Sequence, residues 1–344
     1  MSKFIEDSKG DLFGILPNGT AIYSYELTNK NGLRLTIINY GATVTSLKLP
    51  LNKSDTIDVV LGFDNLEDYV KSFDLENAPY LGATVGRFAG RINKGRFNLN
   101  GKSYHLNTNN NSHSLHGGNI GFSQKVWEVK TVTKGENPSI TLAYFSPNQE
   151  ENYPGDLSVE LKYTLSDENE LILEYKATAS EDTIVNLTHH SYFNLEGHKA
   201  VISDQEIVVN AQQFLEINDE NIFTGRFLNV LNSTSDFSFP DKCPSNIDRT
   251  FVLNKEKRVA ASLFSVKNNL KMVVITNQPT VHVYVGGDTA DIGGKDGAQY
   301  HSLSGICFET QNFPNATNHP HFPSSILKKE EIYQHLTTYK FELS

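Results

Sequence analysis

The sequence predicts an all-β protein, one large antiparallel β-sandwich, on three observations. Apolar and polar residues alternate with a period of two in one segment after another. Asn-Gly pairs stand between such segments. No long window carries apolar residues at the i, i+3, i+4 and i+7 positions of an amphipathic helix. The chain has 344 residues, 38% hydrophobic and 10% aromatic, enough to bury a large core, and all-β domains of such length often fold as one unit. No linker rich in Pro, Gly or Ser, no repeat and no low-complexity tract interrupts it. A single domain over residues 1–344 is expected.

Taken in chain order, Asn18-Gly19, Asn31-Gly32 and Asn100-Gly101 each predict a hairpin, because a tight primed turn needs positive φ at both central residues. DNLEDYVKSF, residues 64–73, predicts a short helix capped by Asp64. In RFNLNGKSYHL, residues 96–106, Phe97 and Leu99 point inward, the turn follows, and Tyr104 and Leu106 return. In DLSVELKYTLS, Leu157, Val159, Leu161, Tyr163 and Leu165 share one face, while Ser158, Glu160, Lys162 and Thr164 share the other. That is a strand with one wet side. After the turn SDENE, Leu171, Leu173 and Tyr175 repeat the pattern.

The formal net charge is −10 and the pI about 5.6. With no basic run to override it, such a chain repels nucleic acid. Cys243 and Cys307 are too few for a disulfide framework or a zinc set, which suits a reduced compartment. MSKFIEDSKGDLFG lacks the apolar run of roughly 7–15 residues of a signal peptide, and no segment approaches the ~20 apolar residues of a membrane span. A cytoplasmic protein is expected.

NLTHHSYFNLEG, residues 186–197, puts two histidines in a strand-like segment. Alternation groups Val185, Leu187, His189, Ser191 and Phe193 on one face, and Asn186, Thr188, His190, Tyr192 and Asn194 on the other. His189 therefore reads as a packed histidine. His190 stands in a polar row that faces either bulk water or a polar cup. In SGICFETQNFPNATNHPHFP, from Ser304 to Pro323, Ile306, Phe308 and Thr310 oppose Cys307, Glu309 and Gln311. A carboxylate among apolar and aromatic residues is desolvated, which raises its pKa and suits a base. The alternative is a structural glutamate held by amides or an arginine.

GRFAGRINKG offers Arg87 and Arg91 without the Gly-Lys-Ser/Thr ending of a phosphate loop. A desolvated arginine donating to hydroxyls or a carboxylate fits better. NSHSLHGG sets His116 before two glycines, whose missing Cβ atoms let a ligand approach the backbone. His113 with His116, and His319 with His321, raise a metal reading, but no metal motif supports it and none is expected. Asp248, in NIDRTFVL, is either a binding carboxylate or a turn cap.

Together NLTHHSYFNLEG, SLHGG, FETQNFPNATNHPHFP, YLGATVGRFAGRINKGRF and NYGATVTSLKLP resemble the galactose mutarotase (aldose 1-epimerase) family, in the family's order and from about Leu33 to Leu343. The resemblance implies the family's β-supersandwich and a cofactor-free enzyme, monomeric or homodimeric, that interconverts α and β anomers of free hexoses. It implies His190 as catalytic acid and Glu309 as base, with Arg91, His116 and Asp248 holding the sugar and Gln278, in TNQPTV, near it. A carboxylate beside His190 is expected to raise the histidine's pKa. Trp127 and Tyr192 are candidates to pack against the pyranose, Trp127 equally a core residue. Three positions depart from the usual pattern: Gly90 where many members have Asn, Arg249 where many have His, and His189 where many have Asn. Three rivals stand beside this reading. A glycosidase would pair Glu309 with Asp248. A hexose 6-phosphate epimerase would bind phosphate through Arg87, Arg249 or Lys94. A carbohydrate-binding module would need neither acid nor base.

Overall fold

The structure, a computed structural model, describes residues 10–343 apart from 232, 255–257 and 287–290. Most of the N-terminal stretch weighed as a signal peptide lies outside the described residues. Among the described residues no helix is long and apolar enough to cross a membrane.

Three antiparallel sheets of five, nine and six strands carry the fold. The predicted alternation is observed: along Leu157–Leu165 buried and more exposed positions alternate, and the strand pairs in register with Glu170–Ala179. One apolar cluster draws on all three sheets, with Leu35 and Val44 from the first, Leu161 and Leu173 from the second, and Phe251, Val283 and Phe308 from the third.

The strand Ile306–Gln311 shows how the pleat sorts the sheet. Toward the nine-stranded sheet go Phe308 and Thr310. Tyr339 donates its hydroxyl to the Phe308 carbonyl at 3.0 Å, and Thr310 bonds His335 and Thr337. Cys307 and Glu309 take the opposite face. Their neighbours in Thr280–Val285 and Ile247–Leu253 follow the same parity. One row across the three strands reads Thr250, His282, Glu309, and the next reads Asp248, Tyr284, Cys307.

Three local expectations are corrected. The helix spans Leu66–Lys71 and its cap is Asn65, whose Oδ1 accepts the Asp68 N–H at 2.9 Å. Asp64 instead accepts the Asp296 N–H at 2.8 Å, a partner far along the chain. All three Asn-Gly pairs join paired antiparallel strands, as predicted, but only Asn100-Gly101 has the expected positive φ at both residues, 51° and 76°. Asn18 and Asn31 lie in longer loops where glycine alone is left-handed. In the second of these, Asn29 Oδ1 organises the turn by accepting the N–H of both Asn31 and Leu33. Residues 186–194 do not form one strand either. Thr188–His189 pairs with Val85 and Thr84, Tyr192–Phe193 pairs with Cys307 and Ile306, and the chain breaks between them. The whole stretch is buried, so neither face is wet.

Candidate active site

The break between those two short strands sets His190 above the polar face of the six-stranded sheet. The His190 N–H donates to the Ala83 carbonyl, and its carbonyl accepts the Gly82 N–H. His190 Nε2 then lies 3.5 Å from Glu309 Oε1, and Nδ1 lies 3.6 Å from Cys307 Sγ. The ring sits among Tyr192, His116 and Tyr80, with centroids 5.2, 5.6 and 5.7 Å away. His190 is 5% and Glu309 2% exposed, so the pair works out of bulk water. Glu309 Oε2 is buried and has no hydrogen-bond partner among the described residues. A buried unpartnered acceptor is costly unless a ligand donor completes it.

His189 takes the other side, as its parity predicts. It bonds Ser191 Oγ at 2.7 Å, packs on Tyr163, and is held neutral by burial, which lowers its pKa to about 3. His190 corrects an expectation. Burial lowers its pKa from the ordinary value, and Glu309 opposes the shift without reversing it.

Arg91 and His116 arrive together, since Arg91 pairs with Leu115 in a two-residue ladder. Arg91 Nε donates to Asn110 Oδ1 at 2.9 Å. His116 has φ 52°, and its Nδ1 accepts the Gly90 N–H at 3.3 Å. That bond fixes the proton on Nε2. Burial first, then the charges of His190, Arg91 and His282, push the His116 pKa well below 6.5, so it is a neutral donor.

His116, His190 and Glu309 each offer an atom within 4.8 Å of the others, close enough to enclose a metal ion. The His116 tautomer argues against that use, because its Nε2 presents a proton where a metal needs a lone pair. The donor set suits a polyhydroxy ligand, with one donor in His116, an acceptor in Glu309 and a group of either kind in His190. The other histidines raised for metal are structural. His319 and His321 direct Nε2 at the carbonyls of Phe223 and Gly225, and His113 Nδ1 accepts the Lys94 N–H.

Asp248 stands in the adjoining row, 3.2 Å from His282 Nε2. Burial alone would raise its pKa, but His282, Arg91 and Arg249 bring it down to about 2. His282, Thr250 and Tyr80 were not singled out from the sequence. For His282 the signal was present: in TVHVYV it interrupts a run of valines on the parity of Tyr284. Gln278 stands apart. It lies in the turn before Thr280–Val285, and its amide donates to Asn277.

Other sequence candidates are structural. Arg87 is buried in a cage of backbone carbonyls from 146–155, which removes it as a phosphate ligand. Arg249 lies over the Phe214 ring. Trp127 is fully buried and donates to the Phe122 carbonyl, so it does not face a sugar. The glycines after His116 serve packing and not ligand approach: a Cβ on Gly117 would lie 1.9 Å from the Gly86 carbonyl oxygen, and one on Gly118 would meet Glu151.

The family model described as aldose 1-epimerase matches residues 23–340. The chain is 40% identical to the galactose mutarotase of Bos taurus, over 97% of this chain and 98% of that protein. It is 38% identical to that of Homo sapiens over the same shares, and 32% identical to the aldose 1-epimerase of Haemophilus influenzae over 95% and 97%. Among solved structures it is similar to the aldose epimerase homologue of C. elegans, with TM-score 0.86, 29% identity, and 94% and 99% coverage. It is also similar to the galactose 1-epimerase of Lactobacillus acidophilus, with TM-score 0.84, 27% identity, and 96% and 97% coverage.

Proposed function

Because the chain belongs to the aldose 1-epimerase family, and is therefore an isomerase that acts on sugars, we propose that Glu309 and His190 are its base and acid. The substrates proposed are free hexoses such as D-galactose and D-glucose. Glu309 removes the proton of the C1 hydroxyl while His190 protonates the ring oxygen. The ring opens to the aldehyde, the C1–C2 bond rotates, and the two residues reverse their roles to close the other face. Both act on one edge of the sugar, and the 3.5 Å separation of His190 Nε2 and Glu309 Oε1 is the observation that carries the reading. The unpartnered Glu309 Oε2 supports it as the atom that takes the hydroxyl.

The lowered pKa of His190 has two opposed effects. Its protonated form is a stronger acid toward a weakly basic ring oxygen, and a smaller fraction is protonated at pH 7. Neutral His116 donates Nε2–H, Arg91 donates from its free guanidinium nitrogens, and Asp248 accepts from a hydroxyl. Gln278 is the least supported of the proposed sugar contacts, since its amide donates to Asn277 in the turn before the strand Thr280–Val285. The caging of Arg87 speaks against a 6-phosphate substrate. We read the chain as one domain, supported by the apolar cluster common to its three large sheets. Two free, buried cysteines support a reduced, cytoplasmic setting, the acidic balance speaks against nucleic acid, and a monomer or homodimer is proposed.

Polarimetry of freshly dissolved α-D-galactose tests the assignment. Wild type accelerates mutarotation, and Glu309→Gln and His190→Asn each slow it by about 10²–10⁴. Acceleration that survives either substitution removes that residue from the mechanism.

A further inference from the structure

His282 occupies the middle of the row Thr250, His282, Glu309 on the site face of the sheet. It directly opposes the base across one strand boundary and Thr250 across the other. Side chains so paired stand about 4.5–5.5 Å apart at Cβ. Its Nε2 lies 3.2 Å from Asp248 Oδ1 and its Nδ1 2.8 Å from Thr250 Oγ1. Both ring nitrogens are therefore engaged, and neither is free to act on a substrate.

We propose that His282 is a positioning residue that holds Asp248 for a sugar hydroxyl and sets a positive charge beside Glu309. The inference rests on the reading of the site as a mutarotase centre.

Asp248 is held through one oxygen. Nε2–H donates to Oδ1, which leaves Oδ2 to accept from the sugar. Thr250 makes the arrangement independent of the ring's charge, because a hydroxyl accepts from Nδ1–H in the imidazolium and donates to Nδ1 in the neutral ring. Loss of the proton thus removes charge without removing either bond. The charged and titratable groups around the ring come from several elements: Asp248 on one neighbouring strand, Glu309 on the other, and Arg91 beyond the sheet. His190 and His116 feel its charge from above. Burial lowers the His282 pKa, but the bond and charge of Asp248, with the charge of Glu309, outweigh it and leave the pKa raised. The sign follows directly: the imidazolium is present at low pH and is lost as pH rises through a value above 6.5.

Two substitutions separate the tether from the charge. His282→Leu removes both, and KM for galactose rises about tenfold to a hundredfold, the worth of a charge-assisted hydrogen bond. His282→Gln restores an N–H donor toward Asp248 without a charge. It brings KM back to within about threefold of wild type and abolishes the further loss of kcat/KM above pH 6.5 that wild type shows as His282 deprotonates, while the loss at lower pH from deprotonation of His190 stays. Calorimetric affinity for galactose, measured with Glu309→Gln alone and with Glu309→Gln plus His282→Leu, reads the tether without turnover. A KM and pH profile in His282→Leu within twofold of wild type overturns the proposal, as does an unchanged loss of kcat/KM above pH 6.5 in His282→Gln. Equal calorimetric affinities also overturn it. An inactive wild type that still binds galactose more weakly after His282→Leu counts against the base and acid assignment and not against the tether.

Discussion

Arg87→Met probes whether an arginine beside the site is architecture or anion receptor. Arg87 spends all five of its N–H donors inside the protein. Nε donates to Ser146 Oγ at 2.8 Å, Nη1 to the carbonyls of Pro154 and Gly155 at 3.1 and 2.9 Å, and Nη2 to those of Ser146 and Pro147 at 2.8 and 2.9 Å. Methionine removes the guanidinium that lies over the Tyr153 ring and strands the carbonyls. The Pro147 bond is partly exposed and is readily replaced by water, which leaves three buried acceptors. At about 1–3 kcal/mol for each orphaned group the gross loss is roughly 3–9 kcal/mol. Relief of the buried guanidinium offsets part of it, since burial strains that charge enough to lower its pKa to about 10. The net expectation is a loss of about 3 kcal/mol, near the lower bound. Equilibrium urea unfolding followed by fluorescence of the single tryptophan, Trp127, measures it. Mutarotation per folded molecule is expected to stay within about threefold of wild type. A stability change under about 1 kcal/mol refutes the cage argument. Activity on a hexose 6-phosphate that Arg87→Met abolishes would make Arg87 a ligand after all.

Acid stability follows from two buried histidines. Burial lowers the pKa values of His189 and His335 to about 3, so each is neutral when folded and takes a proton on unfolding. Their contribution is complete above pH 6.5 and is lost as pH falls toward 3, at about 1.4 kcal/mol per pH unit for each. Urea midpoints across that range measure it, and a flat profile between pH 6 and 4 contradicts it. Gly90→Asn, which installs the residue common among relatives by resemblance, is expected to destabilise by about 1–3 kcal/mol. A Cβ there lies 2.9 Å from Pro314 Cβ, at φ 77°. An unchanged melting temperature would show that Pro314 yields freely.

Strand content was legible because a period of two is a local property, and Glu309 because the same alternation separates it from Phe308. What the sequence hid was decided at long range. Arg87 and Arg91 look alike locally, and they differ because the carbonyls of residues 146–155 close on one of them from about sixty residues away. Asp64 loses the helix cap to Asn65 because Asp296 claims it. The direction of the His190 pKa depended on depth beneath the surface, which no neighbour in sequence reports, so a correct partner led to a wrong sign. His282 was visible as a break in a valine run, but its meaning required knowing which strands lie on either side.

The two-sided strand Ile306–Gln311 ties proofreading of the fold to chemistry. A slip of one residue would carry Glu309 into the apolar layer and swing Phe308 into the cup. A chain that settles out of register is thus both unstable and silent, with no active misfolded form to mislead an assay. Turnover per milligram of any preparation therefore counts the molecules whose sheet has zipped correctly, and a catalytic titration doubles as a measure of folding yield.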